Sequence, residues 1–518
     1  MPNGDDTVFI EEKQWSFMDT RRYTKKSMKS VLQELVAGKA LIFIIVVGLG
    51  GSFQNGYHLT AISSPSPYIQ SFINSSWTYH YGDVPGEKTV TFIWSTVVAL
   101  YALGGLIGSI TVRHLTSLLG RKGAMLLNSA IAVVPTVIMY ISKPTYSFEL
   151  ILVARFLFGF GAGLGLNLHT IYLGESSPKK IRGMVTVTVT TFMSLGKLLG
   201  QFVGLREILG REECWNVLLC IPGFFCVVQL AILPFFPDSP RYVLIEKGNI
   251  KQCRKALQCL WGPGDYKLDI EEMLAEQAVI GEQCNKSVLD LLRDKHLHWQ
   301  VLSMLVINGC IQFGGTSAIT VFSFSIFLEA GIPMDKIRYV TLGIGASEVL
   351  ISITCGLFIE RVGRRAMMWR GFGGMSAIMV LITVTMYLKV SDSVIPYITV
   401  ILIFLFFIFF GGGPAAITPS LANEIFIQSY RPAAFVFIGF LRWLLFTIFG
   451  FLFPFLIATL KSLSFVLFSC VGLIAALYVF FILPETKGKT LLEISQEFEN
   501  IRVCGSSTEE VLCLETKL

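Results

Sequence analysis

Long apolar runs with few charges dominate this chain and restrict the folds that are open to it. About twelve runs are each long enough to cross a bilayer, for which a helix needs roughly 20 mostly apolar residues. One such run also occurs as a buried helix of a soluble domain, but twelve leave that alternative little room. The sequence therefore predicts an all-α membrane protein in contact with the lipid bilayer, with twelve transmembrane helices (spans 1 to 12) near 39–61, 91–112, 123–142, 148–172, 184–207, 215–236, 299–327, 337–360, 366–388, 395–424, 431–457 and 461–483.

The composition excludes several other classes of protein. Only 15% of the 518 residues are charged, whereas soluble domains carry roughly 25%. The net charge of +6 follows from basic loops and requires no nucleic acid, and the eleven cysteines form no paired pattern that predicts disulfides or a metal site. One glycine series mimics a dinucleotide-binding loop, but it lies inside an apolar run with no preceding strand and there predicts close helix packing: Gly159, Gly161, Gly163 and Gly165. We therefore expect neither an enzyme nor a cofactor.

Basic residues in alternate loops predict the orientation of the chain. Lysines and arginines follow spans 2, 4, 8 and 10, and the positive-inside rule places these loops and both termini in the cytosol. The first thirty-odd residues are polar, so no cleaved signal peptide is expected. The sequon at Asn74 then falls in an external loop, 62–90, and is the expected glycosylation site, whereas the sequon at Asn285 faces the cytosol. We expect a plasma-membrane location.

A repeat of about 245 residues divides the spans six and six. Three charged motifs of the first half recur in the second half, at offsets of 243, 249 and 247 residues. The pairs are Gly120-Arg121-Lys122 with Gly363-Arg364-Arg365, Glu175 and Arg182 with Glu424 and Arg431, and Pro237-Asp238-Ser239-Pro240-Arg241 with Pro484-Glu485-Thr486-Lys487-Gly488. Parallel six-helix repeats around a midplane site are typical of the major facilitator fold, which we therefore predict.

This repeat also predicts the domain boundaries. The polar segment between the halves is rich in Lys, Glu and Gln at helical spacing, which favours short surface helices. The expected parts are a cytosolic N-terminal segment at 1–38, a six-helix bundle at 39–236, cytosolic linker helices at 237–298, a second six-helix bundle at 299–483 and a cytosolic tail at 484–518.

The repeated charges predict a cytosolic gate, because arginine forks pair with carboxylates through two hydrogen bonds. We expect such pairs to exist only while the cytosolic side is closed and so to bias the direction in which the protein opens. Ordinary solvated loop charges are the alternative. The expected members are Arg121, Arg155, Glu175 and Arg182 in the first half and Glu360, Arg364, Glu424 and Arg431 in the second.

Taken together, these motifs resemble those of the sugar-porter branch of the major facilitator superfamily, over about residues 35–500. Within that branch the chain resembles the facilitative glucose and fructose transporters, and its details are most similar to the fructose and urate branch. Pro419 stands where glucose carriers have tryptophan, Glu348 stands where they have asparagine, and Ile319 matches an isoleucine of the fructose branch. The resemblance implies facilitative transport of hexose by alternating access.

The resemblance also implies which side chains contact sugar. Gln201 and Gln312 match glutamines that contact sugar, Ser317 stands where the family usually has asparagine, and Trp443 matches a tryptophan of the cavity. A glutamine amide both donates and accepts, as recognition of hydroxyls requires, although a hydrogen bond between helices is the alternative role. Other polar positions of the family are apolar here, namely Ile311, Val321, Phe322 and Gly411.

Lys197, Glu348 and Arg442 are ionisable side chains inside predicted spans, where a charge costs at least about 2.5–3.5 kcal/mol. Lys197 precedes Gln201 by one helical turn, and Arg442 matches a histidine that contacts sugar in a fructose carrier. With Glu348, they predict a cavity more cationic than that of a glucose carrier, suited to fructose or to an anion such as urate. In the alternative interpretation, Lys197 extends to the membrane surface or pairs with Glu348.

His58 in span 1 is a candidate proton site. It stands where the proton-coupled sugar porters that this chain resembles have aspartate, and histidine titrates near neutrality. A neutral polar side chain is the alternative. Two further functions stay open beside the hexose carrier: a carrier of urate or another small organic anion, and a non-transporting sugar sensor, which the apolar replacements in span 7 suggest.

Overall fold

The structure, a computed structural model, describes residues 38–177, 179–264, 266–271, 273–274, 287–388, 394–426, 430–460, 463–486, 489 and 491–499. Every regular element in these ranges is a helix, so the predicted all-α class is confirmed. The helices follow the two halves of the chain, six spans in each, as the repeat predicted.

The first six spans are formed by one bent pair of helices and four further helical segments, one of which supplies two spans. Span 1 breaks at Gly51, where its two helices meet at an angle of 40°. Spans 2 and 3 are continuous over 56 residues, but at about 84 Å this segment is too long for one crossing. It turns back at Gly120, whose φ of +74° is left-handed and suits glycine. The bounds are Ala40–Gly50 with Ser52–Thr60 (span 1), Glu87–Ser142 (spans 2 and 3), Glu149–Ser176 (span 4), Lys179–Val203 (span 5) and Trp215–Ile232 (span 6).

Two spans of the second half are irregular near their middle. Span 7 breaks at Gly314 and Gly315, and span 10 contains a π-helical turn around Pro414. The bounds are His298–Phe313 with Thr316–Glu329 (span 7), Ile337–Val362 (span 8), Arg364–Leu388 (span 9), Ile395–Phe410 with Gly411–Ala415 and Ala416–Ile425 (span 10), Arg431–Leu460 (span 11) and Ser464–Phe481 (span 12).

By length and hydropathy, eight described segments can cross a membrane, and the bent span 1 makes nine. One of the eight is Glu87–Ser142, which supplies two spans. Spans 5 and 8 fall outside this set, and each carries an ionisable residue, Lys197 or Glu348. The described helices thus account for all twelve predicted spans, and the two less apolar ones are those that carry charge near the candidate site.

Short helices occupy the segment between the halves. They are Pro240–Ile245, Ile250–Trp261 and Val288–Arg293, and a further helix, Leu491–Glu499, follows span 12. The side chains of Ser239, Asn249 and Ser287 cap the first three by accepting backbone N–H bonds. We call the end of the bundle that carries these helices the linker end. The sequon at Asn285 lies outside the described residues.

The opposite end carries Asn74, and we call it the sequon end. The loop expected at 62–90 is mostly a helix, Ser66–Tyr81, so that expectation is wrong in its conformation. A proline in the first turn starts this helix, and apolar residues at helical spacing bury one face of it, including Ile69 and Ile73. Asn74 lies on the exposed face.

Candidate functional site

The break in span 7 exposes polar groups near the middle of the bundle. Gly315 has a φ of +94°, and a Cβ added there would lie 2.5 Å from Cε of Met379, so the position requires glycine. Across the break, the hydroxyl of Ser317 donates to Oε1 of Gln312, 2.5 Å away. A helix interrupted by glycine at membrane depth is where bundles of this kind place their ligand sites.

Gln312 also joins span 7 to span 11. Its Nε2 donates to the backbone carbonyl of Arg442 over 3.1 Å. The side chain of Arg442 is exposed although it lies near the middle of its span, whereas the next residue, Trp443, is buried. Ile319, one turn beyond the break, is buried as well. The site therefore combines one amide, one hydroxyl, the guanidinium of Arg442 and an apolar wall.

Trp443 extends this apolar wall to the first half of the chain. Its ring packs against Gly105 of span 2, where an added Cβ would come within 2.3 Å of a ring carbon. The ring centroid of Tyr101, one turn earlier on span 2, is 6.3 Å from that of Trp443, in an edge-on arrangement that aromatic pairs favour. The candidate site thus lies between the halves.

Spans 5 and 8 approach each other on another side of the bundle. Nζ of Lys197 lies 2.8 Å from Oε2 of Glu348, and each side chain is 13% exposed. The interpretation in which these two residues pair is therefore the one that the structure adopts. Because the pair is neutral as a whole, Lys197 adds no net positive charge to the site, whereas the described residues provide no carboxylate partner for Arg442.

Gln201 lies one turn beyond Lys197 and contacts span 8 directly. Its Oε1 occupies the place next to Gly345 where a Cβ would be, at 1.8 Å, so any larger residue at 345 would collide with it. Within the described part of the chain, this buried oxygen has no hydrogen-bond partner. An unpaired amide oxygen between the halves is a group that a bound ligand or a water satisfies.

Arg155 is not at the linker end, which corrects its assignment to the gate. It lies six residues after the start of span 4 at Glu149, and about 30 Å of helix separates it from Glu175. Its guanidinium sits 4.4 Å from the ring centroid of Tyr101 and is 2% exposed. The assignment was wrong because it considered the charge of Arg155 and not the position of this residue along the continuous helix of span 4.

His58 lies in the same interior region. It is buried, its ring centroid is 4.3 Å from that of Phe158, and its Nδ1 has no partner among the described residues. It lines a cavity of about 10 Å³ with Gln54 and Asn128, which has room for about one water molecule.

The expected charge pairs of the first half form at the linker end. Nε of Arg121 is 2.8 Å from Oε2 of Glu175, and its Nη1 is 2.6 Å from Oε1 of Glu246. Ser239 donates a further hydrogen bond to Glu175 at 2.6 Å. The motif after span 6 and the motif after span 2 thus meet on one carboxylate. The side chain of Arg182 lies outside the described part.

The second half repeats this arrangement. Nε of Arg364 is 3.2 Å from Oε1 of Glu424, and Thr486 donates to the other oxygen of Glu424. Glu485 accepts the backbone N–H groups of Arg364 and Arg365 at 2.8 and 3.1 Å. The side chains of Glu360, Pro419 and Arg431 lie outside the described part of the chain.

The halves are joined to each other mainly at the sequon end. Ser63 of the first half and Ser323 of the second share a hydrogen bond of 2.8 Å. Arg338 donates to Ser64 at 3.0 Å and to Tyr68 at 3.2 Å. By contrast, the described pairs at the linker end lie within one half. These pairs tie the helix ends of each half together, as expected. That Arg121–Glu175 and Arg364–Glu424 form only while the linker end is closed stays a prediction.

Two important residues gave no usable signal in the sequence. Tyr101 lies in an apolar run, where nothing distinguishes it from a buried aromatic residue, yet it contacts both Arg155 and Trp443. Arg338 lies at the start of span 8, where the sequence does not distinguish it from an ordinary flanking charge, but it is buried against the first half. Only the packing of distant spans shows what these side chains do.

Comparison with known proteins settles the family. A family model described as "Sugar (and other) transporter" matches residues 43–498. The chain belongs to this family. Members of the sugar transporter family are membrane carriers and not enzymes, so the expectation that this chain is not an enzyme is confirmed.

Curated relatives support this membership. The human protein named solute carrier family 2, facilitated glucose transporter member 9, is 39% identical over 88% of this chain and 85% of its own length. Human member 11 is 38% identical over 91% of this chain and 95% of its own length. Member 5 of Bos taurus is 38% identical over 88% and 91%. The predicted resemblance to the fructose and urate branch of the facilitative glucose and fructose transporters is confirmed.

Solved structures identify the fold. The inward open conformation of the xylose transporter XylE from E. coli superposes with a TM-score of 0.72 at 19% identity, covering 88% of this chain and 99% of that one. The XylE proton:xylose symporter bound to 6-bromo-6-deoxy-D-glucose gives a TM-score of 0.69 at 19% identity over 88% and 98%. The sugar transporter described here therefore has the major facilitator fold, as predicted.

Proposed function

We propose that this protein carries hexoses, fructose or glucose, across the membrane down their gradient by alternating access. The observation that carries the proposal is the polar group at the break of span 7, where Gln312 and Ser317 lie beside Trp443 between the halves. Amide and hydroxyl groups donate to and accept from sugar hydroxyls, and an indole face suits the apolar face of a sugar ring. Relatives named facilitated glucose transporters support the same function.

The proposed sugar contacts come from both halves of the chain. Those of the second half surround the break in span 7, and the first half contributes Gln201 of span 5, whose unpaired oxygen lies against Gly345 of span 8. Lys197 and Glu348, which the sequence also suggested as contacts, neutralise each other beside this group. The proposed set is Gln201, Gln312, Ser317, Ile319, Arg442 and Trp443.

We place the linker end in the cytosol, with both termini, and the sequon end outside the cell at the plasma membrane. The basic loops support this orientation. Asn74 is then exposed on the outer side and is the proposed site of glycosylation. In this orientation the contacts of Arg338 close the outer side of the protein.

Uptake of labelled fructose, glucose and urate by the purified chain in proteoliposomes tests the function. We expect saturable counterflow of fructose or glucose that an imposed proton gradient does not change, because His58 is then a neutral buried side chain. If folded protein exchanges none of the three, transport is excluded and the sugar sensor takes its place. A rate that rises with the proton gradient would instead assign His58 as a proton site.

One observation favours a second candidate, a carrier of a small organic anion such as urate. The guanidinium of Arg442 has no carboxylate partner among the described residues, and arginine forks recognise planar anions through two hydrogen bonds. Under this alternative, urate uptake produces a current, and Arg442→Gln abolishes the current while the protein stays folded. Hexose counterflow without any urate current removes the alternative.

A further inference from the structure

The contact between spans 5 and 8 contains an ion pair, which the other described contacts between the halves lack. Among the ion pairs of the described residues, Lys197–Glu348 is the one whose partners belong to different halves, whereas Arg121–Glu175 and Arg364–Glu424 each lie within one half. Both side chains are 13% exposed, so the pair is largely withdrawn from water. We propose that Lys197–Glu348 is the pivot about which the two halves rock, and that Lys197 is a positioning residue of the transport cycle.

The carboxylate of the pair lies near the level where a rocking motion changes distances least. Glu348 comes eleven residues after the start of span 8 at Ile337 and fourteen before its end at Val362, near the middle of that helix, whereas the backbone of Lys197 lies six residues before the end of span 5 at Val203. When two rigid bundles rock, the gap between them opens and closes most at the ends and least near the axis. A contact near the middle is therefore able to persist in both states.

The first half holds Lys197 rigidly by its backbone. Thr60 of span 1 donates a hydrogen bond to the carbonyl of Lys197 at 2.9 Å. Span 1 also approaches so closely at Gly56 that an added Cβ would lie 2.0 Å from the carbonyl oxygen of Met193. Because the backbone is fixed, the four flexible methylene groups of the lysine side chain take up the change of angle between the halves.

The contact of Gln201 with Gly345 lies one turn from the ion pair on both helices. The amide oxygen of Gln201 fills the space that a side chain at 345 would need, so the two spans are in direct contact there. The sequon-end contact near the same spans is of another kind, since Tyr339 donates to Glu207 at an exposed surface. An exposed hydrogen bond is easily exchanged for water, whereas separating a half-buried ion pair leaves two charges at membrane depth.

Charge reversal tests whether the pair acts as a unit. This experiment rests on the proposed hexose transport, measured as counterflow. We expect Lys197→Glu and Glu348→Lys each to lower the maximal rate at least tenfold with little change in KM, and the double reversal to restore it to within threefold. Reversal of the exposed pair Lys267–Glu271 is the matched control and changes nothing. A double variant no better than the single variants overturns the proposal.

Crosslinking separates a pivot from a gate. In Lys197→Cys/Glu348→Cys, a short bifunctional thiol reagent fixes the two spans at the proposed axis. In Glu207→Cys/Tyr339→Cys, it fixes them at the sequon end. The native chain treated in parallel gives the background of its own eleven cysteines. We expect the crosslink at 197 and 348 to leave more than half of the hexose exchange that the same variant shows before crosslinking. The crosslink at 207 and 339 should abolish the exchange. Loss of exchange in the first would identify a gate and overturn the pivot.

A measurement that needs no substrate distinguishes the pivot proposal from the proposal of hexose transport. Ser323→Cys lies at the closed sequon end, so its reaction with a membrane-impermeant thiol reagent reports opening of that end. We expect the crosslink at 197 and 348 to leave this reaction rate within twofold, and the crosslink at 207 and 339 to stop the reaction. If hexose counterflow is absent while this pattern holds, the proposed substrate is wrong and the pivot stands. If the first crosslink also stops the reaction, the pivot is wrong.

Discussion

Ser317 donates a hydrogen bond to Oε1 of Gln312 across the break in span 7, over 2.5 Å. The same amide donates from Nε2 to the carbonyl of Arg442. Gln312 is therefore held at both ends before any ligand binds, with one lone pair of Oε1 and one N–H left for a sugar. A preorganised amide loses little conformational freedom on binding, which favours affinity.

Ser317→Ala should weaken sugar binding by removing this support. One neutral hydrogen bond contributes about 0.5–1.5 kcal/mol, so we expect KM for the transported hexose to rise roughly 2- to 10-fold with a smaller change in maximal rate. Initial rates of uptake in proteoliposomes measure both. Thr459→Ala is the control, because that exposed hydroxyl bonds only within its own helix, and it should leave KM unchanged. An unaltered KM for Ser317→Ala would show that Gln312 needs no support.

Gly315→Ala should lower the stability of the folded chain. A left-handed backbone costs an alanine about 1–2 kcal/mol, and the new methyl group must also displace Met379. We expect a melting temperature lower by a few degrees in a detergent-solubilised thermal scan. Gly309→Ala is the matched control in the same span, since a Cβ there meets no atom within 4 Å and alanine favours the helix. Equal melting temperatures for the two variants would refute the strain at Gly315.

Arg338→Gln should open the sequon end more often. The substitution removes the charged hydrogen bonds to Ser64 and Tyr68, which hold the halves together there. We expect faster labelling of Ser323→Cys by an impermeant thiol reagent in this background. Lys336→Gln serves as the control, because Lys336 contacts Tyr397 of its own half. Equal labelling rates in both backgrounds would mean that Arg338 does not hold this end closed.

Acid should weaken the same closure through Glu207. The hydrogen bond from Tyr339 holds the pKa of the Glu207 carboxyl below its usual range while the sequon end is closed. A depressed pKa stabilises the closed state above the usual carboxylate value, and this contribution is lost as pH falls through the lowered value. Because the thiolate fraction falls with pH, labelling is compared with that of a small-molecule thiol at the same pH. On this scale we expect labelling of Ser323→Cys to rise below about pH 4.3, the ordinary glutamate pKa, and not between pH 8 and 6. Glu207→Gln should remove this acid response, and a response that persists in the variant must come from another group.

The fold was predictable from the sequence because its signals are local. Hydropathy marks the spans, and charged motifs such as that at Arg121 recur with a constant offset. The breaks at Gly51 and Gly315 were not predictable, since glycine also occurs in unbroken helices such as span 4. Whether a glycine breaks a helix depends on neighbouring spans, which hydropathy does not report.

The candidate site was predictable only in part. The sequence singled out Lys197 and Glu348, but they are 151 residues apart, and only the fold decides that they pair. Arg155 was assigned to the wrong end because its charge, and not its height in the membrane, was considered. The role of Tyr101 depends on two residues from other spans, so the sequence offered no pattern from which to infer it.

The burial of Ser76 sets a time limit on the modification of its neighbour Asn74. The hydroxyl of Ser76, the third residue of the sequon, is fully enclosed, donates to the carbonyl of Tyr146 and accepts from the N–H of Phe148. Those partners emerge from the ribosome about 70 residues later, which at about 5–20 residues per second takes roughly 4–14 s. The sequon at Asn74 therefore stays accessible for at least that interval, and any glycan must be attached before the chain folds and encloses Ser76.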